Sequence, residues 1–133
     1  MSAQSSPKII TLAMGTSVLI VDDEENLLVL LDRILTKEGF DVKTATNAYQ
    51  ALDILDKGTF RLAIVDIKMF PISGVTLLAE IKKRSPATEV VMITAYPTGD
   101  SRAECMKNGA ATYLTKPLDI QELKTVVQDL TAA

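Results

Sequence analysis

Four short apolar runs in this chain each stop at a polar residue. Ser17–Val21 is followed by Asp22 and Asp23, Leu62–Val65 by Asp66, Val90–Ile93 by Thr94, and Thr112–Thr115 by Lys116. Runs of four or five apolar residues without alternation predict strands covered on both faces. A further strand is expected over Phe40–Ala45. Between the strands lie stretches of helical period. These predict helices over Glu24–Glu38, from an Asn47 cap to about Lys57, over Gly74–Arg84, over Thr98–Lys107, and over Asp119–Leu130 with Asp119 as cap.

Five repeats of strand then helix argue for one parallel sheet with helices on both sides. Right-handed crossovers leave few topologies, and a flavodoxin-like three-layer α/β sandwich is the expected fold. With 133 residues the chain suits one domain, burying roughly two thirds of its unfolded surface. Residues 1–15 are Ser-rich and aperiodic and are expected to be a flexible tail, ahead of a domain over 16–131. Ile9–Val21 is apolar enough to suggest a signal peptide, but Gly15–Ser17 interrupt it and acids follow at once.

The net charge of −3, with no basic cluster, argues against direct nucleic-acid binding. No stretch approaches the roughly 18 apolar residues that span a membrane. The single cysteine, Cys105, fits a reducing, cytoplasmic setting. The absence of histidine removes histidine metal sites and triads. Any phosphohistidine chemistry needs a partner to bring the imidazole.

In an open parallel sheet, ligands bind beyond the carboxyl ends of the strands. There the chain gathers three carboxylates (Asp22, Asp23, Asp66), a hydroxyl (Thr94) and an ammonium (Lys116). That set suits a divalent metal and a phosphoryl group. Taken singly, each residue has a plainer reading: helix-terminal acids, a loop acid, a strand threonine, a lysine before a turn proline.

Taken together, VLIVDDEEN, LAIVDIKM, VVMITAY and YLTKP, in that order on five strand–helix units, resemble the receiver domain of two-component response regulators. The resemblance implies strand order 2-1-3-4-5. It makes Asp66 the acceptor of a phosphoryl group from a sensor histidine kinase or histidine phosphotransfer protein. It implies magnesium or manganese, held by Asp23, Asp66 and the main-chain carbonyl of Lys68, with Asp22 acting through water. Thr94 and Lys116 would contact the phosphoryl oxygens. Thr94 and Tyr113 would form the switch, and the Lys116–Pro117 peptide would be cis. The face of helix four, strand five and helix five would control a downstream protein or output domain, or a phosphorylation-dependent homodimer. Only self-phosphorylation and dephosphorylation would be catalysed.

Some positions are this chain's own. Phe70 and Pro71 stand where the family has proline in the first place, and Phe70 is expected to be exposed. By the same resemblance, Lys68 and Tyr96 occupy positions that in the family help set phosphate lifetime, and bulky Tyr96 suggests a slow loss. On helix one, Leu27, Leu30, Leu31, Ile34 and Leu35 are expected to face inward, leaving Leu28 and Val29 as partner contacts. Helix four is thin in apolar residues, with Ala103 and Met106 as its expected anchors. An aspartyl-intermediate phosphatase remains an alternative. Those enzymes resemble one another in placing an acid two residues after the nucleophile, where this chain has Lys68. A receiver-shaped binding module and a flavin protein are weaker alternatives, the latter lacking a phosphate-cradling loop.

Overall fold

The structure is a computed structural model and describes residues 15–132; the expected tail falls almost wholly outside them. In chain order the elements are β1 (Ser17–Val21), α1 (Glu25–Lys37), β2 (Asp41–Ala45), α2 (Ala48–Asp56), β3 (Leu62–Asp66), α3 (Gly74–Arg84), β4 (Glu89–Thr94), α4 (Gly99–Lys107), β5 (Thr112–Thr115) and α5 (Ile120–Thr131). All strand pairs are parallel, in the order β2-β1-β3-β4-β5. The expected α/β sandwich and strand order are both present.

Side chains alternate across the sheet and build two cores. Leu19, Val21, Ala63, Val65, Val90 and Met92 point to one face, where α2, α3 and α4 supply Ala51, Leu78, Ile81 and Cys105. Val18, Ile20, Leu62, Ile64, Val91 and Ile93 point to the other, under α1 and α5, which supply Leu31, Leu35, Leu123 and Val127. The central strands are apolar on both faces because both are covered.

Four of the five helices start at side-chain caps. Asn47, Ser73, Thr98 and Asp119 each accept a bond from the backbone N–H three residues on, satisfying donors that a helix leaves free. Helix α1 lacks such a cap. Its entry is tied from outside, where Asp22 Oδ1 accepts the Glu24 N–H at 2.8 Å.

The structure corrects two readings of the sequence. Leu28 is buried with Leu31 and Leu35, while Leu30, expected inside, is 44 % exposed. The inward stripe is therefore 28-31-35, flanked by half-buried Leu27 and Ile34. Of the two proposed partner contacts only Val29 is exposed. Both stripes share Leu31, so periodicity alone could not choose between them. On α4, Ala103 and Met106 face solvent and the only buried residue is Cys105.

Because Leu28 fills the core, Leu28→Ala is expected to cost about 2–4 kcal/mol in urea unfolding. Val29→Ala should stay within about 0.5 kcal/mol. Equal, small losses for both would contradict this placement.

Candidate functional site

The strand register lines the polar residues up at one edge of the sheet. Val21 pairs with Val65, which sets Asp22 level with Asp66 on the next step. Asp66 pairs with Ile93, and Thr94 with Thr115, so Thr94 and Lys116 follow at the same edge. The order turns back between β1 and β3, the strands that carry Asp22 and Asp66, and such reversals open a crevice beyond the strand ends. A cleft of about 380 Å³ lies there, lined by Asp23, Glu24, Asp66, Lys68, Ala95, Tyr96 and Lys116.

Carboxylate oxygens of Asp22, Asp23 and Asp66 lie within 4.8 Å of one another. Asp22 and Asp66 are buried and Asp23 is exposed. Lys116 Nζ stands 2.8 Å from Asp22 Oδ2, 2.8 Å from Glu24 Oε1 and 3.5 Å from Asp66 Oδ2. The Asp22 contact is one of charge only: Oδ2 is buried and accepts no aligned hydrogen bond. An under-satisfied buried oxygen among three converging carboxylates fits a hard divalent cation, which takes oxygen ligands. Asp22, Asp23 and Asp66 could hold it.

Burial, and then the negative charge of Asp22, push the Asp66 carboxyl up to about 6, although Lys116 and the Lys68 N–H pull the other way. Burial also raises Asp22, partly offset by Lys116 and the Glu24 N–H. For Lys116, burial alone would favour the neutral amine. The close Asp22 and Glu24 carboxylates, and the charge of Asp66 beyond them, outweigh burial, and it stays an ammonium.

The remaining positions frame the cleft. The Asp66 Oδ1 accepts a long 3.4 Å bond from the Lys68 N–H. The Lys68 ammonium sits 5.3 Å from the centre of the Tyr96 ring, which is exposed. Thr94, buried, accepts the Tyr96 N–H on Oγ1 at 3.0 Å. The Tyr113 ring is buried, and its hydroxyl lies 3.4 Å from the Thr98 N and 3.3 Å from Ser101 Oγ at the start of α4. Phe70 is 86 % exposed, and the Phe70–Pro71 and Lys116–Pro117 peptides are both cis. Leu28 and Val29 are not brought to the cleft.

Two residues gain weight that the sequence did not give them. Gly74, in the sequence only the start of an expected helix, packs against the main chain of the Asp66 loop. Its N–H donates to the Ile67 carbonyl at 2.8 Å, and any Cβ there would collide with the Asp66 carbonyl. Glu24 read as a first-turn acid. Its bond to Lys116, 92 positions away, leaves no signal in linear sequence.

Residues 18–128 match the family described as response regulator receiver domain, and the chain belongs to that family. It is 35 % identical over 115 residues to sporulation initiation phosphotransferase F of Bacillus subtilis, covering 86 % of this chain and 93 % of that protein. It is 36 % identical over 115 residues to the transcriptional regulatory protein ZraR of Klebsiella oxytoca, covering 86 % of this chain but 26 % of the relative. The chain thus spans about a quarter of that longer regulator. Among solved structures, the response regulator TrrA of Thermotoga maritima, in complex with Mg(2+)-BeF, superposes with a TM-score of 0.78 at 35 % identity, covering 86 % of this chain and 98 % of that one.

A carboxyl raised above its unfolded value binds its proton more tightly in the native state. The stability this gives is complete below about pH 4 and is lost as pH rises through about 6. Metal-free Asp66→Asn is therefore expected to be more stable than wild type at pH 7.5, by roughly 1–3 kcal/mol. The difference should shrink toward zero near pH 4. Urea midpoints at the two pH values check it, and an equally stable or weaker variant at pH 7.5 would contradict it.

Proposed function

We propose that this receiver domain takes a phosphoryl group onto Asp66 from a histidine on a partner protein. One observation carries the reading: a buried carboxylate, Asp66, faces both an acid pair and a permanent ammonium at the mouth of one cleft. Asp66 would attack the phosphorus through a carboxylate oxygen, and the donor imidazole would leave. Magnesium, held by Asp23, Asp66 and the Lys68 carbonyl with Asp22 acting through water, would offset the carboxylate charges and the charge on the transferring group. Lys116 and Thr94 would then contact phosphoryl oxygens through charge-assisted hydrogen bonds.

The donor's histidine must come from outside, because the chain has none. Beside Lys116 an apolar groove of about 440 Å³ is lined by Leu27, Leu30, Pro117, Leu118 and Ile120. This groove replaces the Leu28 and Val29 pair as the surface on which a donor helix would lie. From there a donor imidazole would approach Asp66 past Glu24, which lines both the groove and the cleft.

Switching would run through Thr94, Tyr113 and α4. Movement of Thr94 toward a phosphoryl oxygen strains the loop that carries Tyr96 and leads into Thr98. There the Tyr113 hydroxyl meets α4. Few buried contacts hold that helix, which suits an element that shifts between populations. Altered α4, β5 and α5 surfaces would regulate a downstream protein, an attached output domain or dimerisation.

Intact mass after incubation with acetyl phosphate and magnesium tests the reading. One added phosphoryl group is expected, absent in Asp66→Asn and in metal-free samples. A wild type that stays unmodified under rapid acid quench, or an Asp66→Asn variant modified equally, would overturn it. Tyr96 and Lys68 cover the mouth of the cleft, where attacking water must enter. Tyr96→Ala is expected to speed loss of the phosphoryl group several-fold; an unchanged decay would remove Tyr96 from that role.

A further inference from the structure

Lys116 must face the phosphoryl group if the reading above holds, yet its closest partners lie elsewhere. Its ammonium is 2.8 Å from both Asp22 and Glu24, but 3.5 Å from Asp66. The two nearer carboxylates differ in kind. Asp22 is fully buried, so releasing its contact would strand a buried charge. The Glu24 side chain is 61 % exposed and would be solvated at once on release. Its bond to Lys116 is the one the site can give up. Glu24 also lines both the acidic cleft and the adjoining apolar groove, on the path by which an anionic donor reaches Asp66.

We propose that Glu24 is a positioning residue that latches Lys116 away from Asp66, and that its bond to Lys116 must break as the ammonium takes up the transferring phosphoryl group. The latch holds the ammonium back from Asp66 in the resting site and slows phosphorylation by donors that do nothing to release it. Glu25, the next acid in the same turn, makes no contact with Lys116 and serves as the control for charge alone.

The experiment measures phosphorylation of the full chain by acetyl phosphate with magnesium. It compares wild type, Glu24→Gln, Glu24→Ala and Glu25→Gln across donor concentration. Loss of an exposed ion pair predicts a maximal rate roughly two- to fivefold higher for both Glu24 variants. Glu25→Gln should change at most the half-saturating concentration, as general charge reduction does. In the metal-free proteins, the Lys116 side-chain ammonium signal by NMR should move in Glu24→Gln and stay in Glu25→Gln. Maximal rates at or below wild type in both Glu24 variants, or an unmoved ammonium signal, would overturn the latch while leaving the receiver reading intact. A wild type that takes no phosphoryl group would overturn the receiver reading, and the latch with it.

Discussion

The Lys116 ammonium is the interaction on which the site turns. It stands among Asp22, Glu24 and Asp66 at the edge of a sheet whose central strand, β3, is wholly buried. Without it, two buried carboxylates would face each other in low dielectric, an arrangement that proteins resolve by protonation or by a bound cation. With it, the charge is still unbalanced: Asp22, Asp23, Glu24 and Asp66 outnumber Lys116 and Lys68 around the cleft, and the Asp66 carboxyl is pushed up to about 6. The fold supports an acidic pocket whose carboxylate oxygens suit one divalent cation.

The apolar core explains how the polar groups stay in register. Parallel pairing sets Asp22 beside Asp66, and Thr94 and Lys116 beyond them. A slip of one residue in any strand would turn its side chains to the opposite helical layer. Gly74 adds a local constraint, since α3 begins against the Asp66 main chain with no room for a side chain. Precision at the cleft is thus inherited from two packed layers and one close backbone approach.

Most of this was legible in the sequence. Buried parallel strands announce themselves as unbroken apolar runs, and Asn47 and Asp119 are caps whose chemistry acts within four residues. Asp22, Asp23, Asp66, Thr94 and Lys116 stood out because polar residues that end apolar runs have few structural uses. What stayed hidden depends on three dimensions. The phase of α1 could not be read from a segment where Leu27, Leu28, Leu30 and Leu31 are all apolar. Cys105 anchors α4 through what lies beneath it, and composition favoured Ala103 and Met106. The bond between Glu24 and Lys116 joins the two ends of the domain and has no local trace.

The central claim is that Asp22, Asp23 and Asp66 form an acidic pocket completed by a divalent cation. A magnesium titration followed by backbone amide NMR tests this most directly. Saturable shifts centred on residues 22–24 and 66–68, lost in Asp23→Asn, are predicted. Shifts that do not saturate, or that scatter over the surface acids with the wild type and variant alike, would contradict it.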